Sequence, residues 1–385
     1  MGHQAGCRGR PILLVIFDGK PCTRTCSYNQ PGTCGLRRFR NPSPRVPPAR
    51  PASVWRYLLF VLGFLTVSLL VWHIGPQRIY EAAARLGPGA LAVILIPSLV
   101  MYVCEAYGWK LTLGSAAKAI AFWKILAIRT AGEVVNMTTP TAYVGGEPLK
   151  AYLLQRHEIP LVEGLASVVI AKTIMTLAQV LFILVGIVLA FWMLGSSGSS
   201  GQIAAGALLS TALLCFGIGA FIFVQKRGMF MLGLRVLRGL GLHIAFLEAR
   251  EDKLRSLDGI ILDFYTRHRS AFYASTGLYL LGWLAEAVEV YVIIACLGEP
   301  ANLLSAISIG ALAVFIKGGT FFIPGSLGAQ DGGNLLLLKA FGYSDVTGIT
   351  FALLRRFREL VWIGIGLLCL AAMGRAGKRG ASEFR

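Results

Sequence analysis

Charge is scarce in this chain, and negative charge most of all. Of 385 residues only 15% are charged, and the 19 Asp+Glu face 37 Lys+Arg. Ordinary soluble domains carry about a quarter charged residues, so a soluble globular fold is excluded. Histidine is sparse too: His3, His73, His157, His243 and His268 are scattered without metal-ligand spacing. There is no phosphate-binding loop, no dinucleotide fingerprint and no nucleophile elbow, since Gly325-Ser-Leu-Gly lacks the Gly-x-Ser-x-Gly spacing. With no catalytic constellation to build on, the chain is expected not to be an enzyme and to need no cofactor and no metal. Cysteine is present but does not read as a disulfide scaffold. Cys7, Cys22, Cys26 and Cys34 crowd the start without zinc-type pairing, while Cys104, Cys215, Cys296 and Cys369 lie singly in apolar runs as small hydrophobes.

What is abundant is hydrocarbon: 55% of the residues are hydrophobic and the mean hydropathy is +0.65. Several runs reach the roughly 20 apolar residues that cross a bilayer. The expected fold class is therefore all-α, a polytopic integral membrane protein. Residues 1–54, rich in Pro, Arg and Gly, read as a disordered basic arm, and the apolar stretch Pro11–Phe17 is too short for a signal-peptide core. Apolar runs follow at Trp55–Ile74, about Gly89–Leu113, Ala119–Met137, Leu161–Leu194, Ile203–Val224, Ala271–Leu297, Leu303–Phe322 and Val346–Met373. Gly/Pro-containing loops interrupt them at Thr138–Lys150 and Pro324–Gly333. Counted as crossings, these give about six full spans plus two re-entrant hairpins, or eight or more helices. The transmembrane domain covers 55–375, with a basic tail at 376–385.

The net charge of +18 has an address. Residues 1–56 hold ten basic residues and one acid, 225–270 nine and five, 374–385 four and one, and 113–160 five and three. The remaining spans and turns hold nine of each. Under the positive-inside rule this places both termini and the segment 225–270 in the cytoplasm of a multi-pass protein of the cell (inner) membrane. The interleaved acids of 225–270 suit a helical cytoplasmic surface, so no nucleic-acid partner is expected.

Sliding the chain against itself by 184 positions superposes the two loops: Pro140 falls on Pro324 and Glu147 on Asp331. Glu105 then falls on Glu289, Tyr107 on Tyr291, Gly114 on Gly298, Gly164 on Gly348 and Lys172 on Arg356. The halves are about 89–195 and 271–375. An odd number of crossings separates them, so they form an inverted internal repeat, a recurrent plan of secondary transporters. In that plan each loop dips into the membrane; the alternative is a pair of interfacial turns.

Charge inside a span costs about 2.5–3.5 kcal/mol, so each case needs a reason. The last helix contains Arg355, Arg356, Arg358 and Glu359. Arg355 and Glu359 stand i,i+4 and are expected to pair, leaving Arg356 and Arg358 for a lipid phosphate or for Glu286, Glu289 or Asp331. Glu105, Glu286 and Glu289 read as counter-ions or proton-coupling groups. Lys172 is either a site residue or a lysine snorkelling to the membrane edge. Asn136 and Lys150 join it as candidates beside the first loop.

Three strings, Gly145-Gly-Glu-Pro-Leu-Lys150, Phe322-Ile-Pro-Gly-Ser-Leu-Gly-Ala-Gln-Asp-Gly-Gly333 and Leu354-Arg-Arg-Phe-Arg-Glu-Leu360, resemble the flippase-like transmembrane region of lysylphosphatidylglycerol synthases. Within that group the chain is most similar to stand-alone proteins associated with hopanoid biosynthesis, over roughly residues 55–375. The resemblance implies a membrane protein that moves or handles lipids. It implies substrate-binding roles for Gly145, Gly146 and Glu147, for Pro324, Gly325, Gly328, Gln330 and Asp331, and for Arg355, Arg356, Arg358 and Glu359. Asp331 stands where the family more often has Glu. The soluble aminoacyl-transferase domain has no counterpart, so synthase activity is not implied. The expected function is translocation of a polar or anionic lipid, hopanoid- or lysylphosphatidylglycerol-related. The alternatives are a membrane-embedded transferase on lipid-linked substrates and a scaffold for lipid-biosynthesis enzymes. Membrane lipids are the expected partners, and the sequence does not give the oligomeric state.

Overall fold

A computed structural model of the chain describes residues 13–17, 20–24, 72, 76–138, 145–194, 200–241, 248–320 and 329–382. The chain divides into two units, Met1–Pro51 and Ala52–Arg385. The first holds an antiparallel hairpin of β1, Leu13–Phe17, and β2, Lys20–Arg24, in register from Leu13 opposite Arg24 to Phe17 opposite Lys20. Asp18-Gly19, between the strands, is the dipeptide favoured in two-residue hairpin connections. Part of the N-terminal arm is thus regular, and its first strand falls within the apolar stretch Pro11–Phe17.

Among the described residues the second unit is helical throughout. Its helices are α1, Pro76–Thr112; α2, Phe122–Thr138; α3, Gly146–Gln155; α4, Leu161–Leu194; α5, Ser200–Lys226; α6, Met229–Gly239; α7, Glu251–Arg267; α8, Arg269–Cys296; α9, Leu303–Gly319; α10, Ala329–Ala340; and α11, Asp345–Ser382. Gly87 breaks the regular backbone of α1 at φ 74°, leaving an apolar stretch at Leu86–Thr112. Gly228 (φ 86°) turns the chain between α5 and α6, which are bent by 90°. Both values lie where a β-carbon is disfavoured.

Among the described residues three helices are long and apolar enough to cross a bilayer: Leu86–Thr112, Leu161–Met193 and Arg269–Cys296. The bent pair α5–α6 brings the number to four if it counts as one span. These are fewer than the six expected spans. The Trp55–Ile74 run lies outside the described residues, apart from Trp72. α9 has only 17 residues, and α11 carries a charged cluster. Two loops are also shorter than expected. α3 begins at Gly146, with Glu147 and Pro148 in its first turn, where a carboxylate suits the helix dipole and proline loses nothing. α10 takes in Ala329–Gly333 for the same reason at Asp331.

The order long–short–short–long occurs twice, as α1–α4 and α8–α11. Thr112 and Cys296 end equivalent helices, Leu161 and Asp345 begin equivalent helices, and both pairs stand 184 positions apart. Packing follows the same exchange: α1 lies on α8, α2 on α11 as α9 lies on α4, and α1 on α11 as α8 lies on α4. α1 and α8 run antiparallel. Ser275 Oγ donates to the Gly108 carbonyl at 2.9 Å, and Gly282 then faces Met101 and Glu105, so α8 advances while α1 retreats. Glycines permit the two exchanged contacts. A β-carbon on Gly186 of α4 would overlap Ala311 of α9, and one on Gly366 of α11 would overlap Val134 and sit 2.8 Å from the Thr130 carbonyl oxygen of α2. Small residues let membrane helices approach closely in this way. Gly366→Leu is expected to destabilise the fold by about 1–3 kcal/mol through overpacking. Gly364→Leu, where a side chain would meet nothing within 4 Å, serves as control. Thermal unfolding of the two variants in detergent checks this.

Candidate functional site

A cavity of about 240 Å³ lies between the two sets of helices, with walls from α1, α2, α4, α8, α9 and α11. Four acids and four bases face it: Glu105, Glu133, Glu286 and Glu359, with Arg129, Lys172, Lys317 and Arg358. Its aromatic wall is ordered. Tyr102 stacks on Trp362 with ring centres 3.8 Å apart, the Arg129 guanidinium sits 4.9 Å over Tyr102, and Trp362 Nε1 donates to Ser98 Oγ at 2.9 Å.

Each half contributes an ionic cluster built where its short helix begins. In the first half, Asn136, near the end of α2, accepts the Gly146 N–H at 2.6 Å and donates to Glu147 Oε1 at 3.1 Å. One side chain thus fixes the start of α3 and aims its carboxylate. Gly132 and Gly146 make room, because a β-carbon on Gly146 would strike the Gly132 carbonyl. Lys150 Nζ donates to both Glu147 oxygens at 3.0 and 3.1 Å and lies 3.9 Å from Glu133. Lys172 approaches Glu147 at 3.9 Å. Arg129 pairs with Glu105.

In the second half Arg356 grips Asp331 with two parallel donors, Nε–Oδ1 at 2.8 Å and Nη2–Oδ2 at 3.0 Å. The shorter carboxylate therefore reaches, because guanidinium and carboxylate meet fork to fork. Arg356 also donates to Glu359 at 2.8 Å, and Gln330 lies 3.5 Å and Lys317 3.7 Å from the same Glu359. Arg358 donates to Glu289 at 2.8 Å, and Arg355 pairs with Glu286 and lies 3.9 Å from Glu289. The expected Arg355–Glu359 pair is not formed: Arg355 turns to α8 and Glu359 stays beside Arg356. Arg356 and Arg358, read as a choice between lipid and protein partners, both meet protein carboxylates. Glu105, Glu286 and Glu289 each stand opposite an arginine.

Of the residues singled out in the sequence, Glu105, Lys172, Glu286, Arg358 and Glu359 line the cavity. Glu147 and Lys150 line a small cleft adjoining it, also bounded by Arg129, Glu133 and Lys172. Asn136, Gly146, Gln330, Asp331, Arg355, Arg356 and Glu289 line neither of these two spaces, and Gly145 immediately precedes α3. Pro324, Gly325 and Gly328 lie outside the described residues. Sequence reasoning missed Arg129, Glu133, Lys317, Tyr102, Trp283 and Trp362 as wall residues. The repeat held a signal for two of them, since Glu133 and Lys317 are 184 positions apart.

The walls also present unspent donors. Arg129 Nη1, Arg358 Nε and Trp283 Nε1 are buried and make no hydrogen bond to the protein, and all three residues line the cavity. Lys172 and Lys317 keep 36% and 29% of their side chains exposed. A space with spare N–H groups and two accessible ammoniums suits an oxygen-rich, negatively charged group.

Residues 56–366 match the family described as the lysylphosphatidylglycerol synthase transmembrane region. Among curated proteins the chain is similar to a UPF0104 membrane protein of Methanothermobacter thermautotrophicus, 22% identical over 306 residues, covering 75% of this chain and 86% of that one. A UPF0104 membrane protein of Pyrococcus horikoshii is 22% identical over 318 residues, covering 80% and 93%. One from Methanocaldococcus jannaschii is 27% identical over 127 residues, covering 32% and 37%. No solved structure matches.

Proposed function

Starting from a chain that belongs to the lysylphosphatidylglycerol synthase transmembrane-region family, we propose that it is a lipid translocator of the cell membrane. Its cargo carries a polar or anionic headgroup, and the protein is a transporter and not an enzyme. The observation that carries this reading is the charged, donor-rich cavity between two exchange-related sets of helices. The antiparallel course of α1 and α8 supports an inverted repeat, and with Trp55–Ile74 and α11 counted the chain makes six crossings with both termini cytoplasmic. In this arrangement α2 with α3, and α9 with α10, form the two re-entrant hairpins. The hopanoid association rests on the sequence resemblance alone.

Equivalent ion pairs differ between the halves: Asp331 is gripped by two donors of Arg356, whereas Lys172 stands 3.9 Å from Glu147. We read the two as different arrangements of one pairing, since Glu147 is held instead by Lys150, at 3.0 and 3.1 Å. Exchange of the two arrangements would expose the cavity alternately, as rocking of inverted halves does. A transferase would need Glu147 or Asp331 as a free base, and the cations engaging both favour transport. Reconstitution in liposomes with a panel of headgroup-labelled lipids tests the reading. Protein-dependent loss of leaflet asymmetry is expected for at least one anionic lipid. No acceleration for any lipid would overturn it, and co-purifying lipid-biosynthesis enzymes would then favour the scaffold.

A further inference from the structure

A second space, of about 310 Å³, runs along the outside of α4 under α5 and the start of α6. Val168, Val169, Thr173 and Thr176 of α4 line it, facing Ile218 and Phe221 of α5 and Met229 of α6. The α4 residues fall on one helical stripe about 12 Å long, at ~1.5 Å per residue. The groove is apolar except for Lys172, Glu147 and the hydroxyls of Thr173 and Thr176, which are turned back onto the Val169 and Lys172 carbonyls of their own helix.

Lys172 and Glu147 are the residues it shares with the charged region. Lys172 lines the groove, the adjoining cleft and the 240 Å³ cavity; Glu147 lines the groove and the cleft. The stem of Lys172 belongs to the apolar stripe, while its ammonium lies 3.9 Å from Glu147, beyond a good hydrogen bond, on a side chain that is 36% exposed, which leaves it able to take a second anion. An apolar channel meeting a charged chamber at one accessible ammonium has the polarity of an amphiphile, chain on one side and charged group on the other.

We infer that the α4–α5 groove binds an acyl chain of the transported lipid, with Lys172 holding its phosphate at the passage into the cavity. The inference rests on the translocator reading and adds to it a chain-binding site and the route by which lipid reaches the cavity. Lys172 serves here as the residue that recognises the junction between chain and headgroup. The occupant is an anionic phospholipid, because the groove's one cation stands at its Lys172 end and the Thr173 and Thr176 hydroxyls spend their protons on their own helix.

The test is photo-crosslinking of the full-length protein in nanodiscs with phosphatidylglycerol carrying a diazirine in its acyl chain. Labelling of Val169–Thr176 and Ile218–Phe221 is expected to exceed labelling of Val188 and Leu368, apolar residues that are 66% and 71% exposed. Thr176→Trp should remove the groove labelling by filling it. Lys172→Gln should lower it about tenfold, the worth of a charge-assisted hydrogen bond, while Lys172→Arg keeps it. Excess soluble glycerol phosphate should not displace it, since a headgroup alone does not use the groove. Uniform labelling of all exposed apolar faces, or labelling unchanged by Thr176→Trp, would overturn the inference. Groove labelling without transport in liposomes would leave the groove standing and remove the translocator. Transport with uniform labelling would do the reverse.

Discussion

Arg358→Ala will destabilise the protein by about 3–5 kcal/mol, the cost of breaking a buried ion pair from one side. Arg358 is 5% exposed and Glu289, its partner at 2.8 Å, is fully buried. Removing the guanidinium leaves a carboxylate whose other cation, Arg355, stands 3.9 Å away and is already engaged with Glu286. The stranded charge has no second full partner. A variant carrying Arg358→Leu and Glu289→Leu together is expected to return close to wild-type stability, because it removes both desolvation costs and fills the space with hydrocarbon. Unfolding of the single and double variants in mild detergent measures this. A single variant within 1 kcal/mol of wild type would show that Glu289 is not held as a charge. Recovery in the double variant separates this ion-pair effect from simple loss of packing around the Arg358 stem.

The 184-residue offset was legible in the sequence because polar residues obey it as the helix ends do. Glu147 and Lys172 fall on Asp331 and Arg356, and in the structure Glu147 faces Lys172 as Asp331 faces Arg356. The ends of α4 could be read because a long apolar run starts after Pro160 and stops before a Gly/Ser stretch. Partner choice within the last helix could not be read. Neighbouring side chains on a helix point about 100° apart at 3.6 residues per turn. Arg355, Arg356 and Arg358 therefore reach different carboxylates, and which face meets which helix depends on rotation that the sequence does not show. Spacing alone favoured Arg355 with Glu359; packing gave Arg355 to α8. Lys317, Arg129 and Glu133 went unread for a related reason. Single charges in an apolar run look like interruptions until several helices bring them to one cavity.

Replacing Lys172 or Lys317 with alanine is expected to lower affinity for an anionic lipid headgroup about ten- to hundredfold while leaving the fold intact. Most other charges on the cavity wall already face close partners: Glu105 with Arg129, Glu286 with Arg355, Glu359 with Arg356, and Arg358 with Glu289. A headgroup competing for those would have to break a buried pair. The two lysines lie 3.9 and 3.7 Å from their nearest carboxylates, beyond a good hydrogen bond, and both are accessible. Their pairs should contribute about 0–1 kcal/mol to stability, whereas an ammonium donating to a phosphate oxygen is worth about 1.5–3 kcal/mol in binding. The lysines come from helices of opposite halves, α4 and α9, so one anion between them would hold the halves together, and its release would free them to move. Lys317→Glu should weaken binding further than Lys317→Ala, since Glu359 and Glu133 already stand on that wall. Binding of phosphatidylglycerol to the purified variants, measured beside their thermal stability, decides the matter. Wild-type affinity in both folded variants would remove the cavity as the headgroup site, whereas a loss confined to Lys172 would move that site to the passage beside the groove.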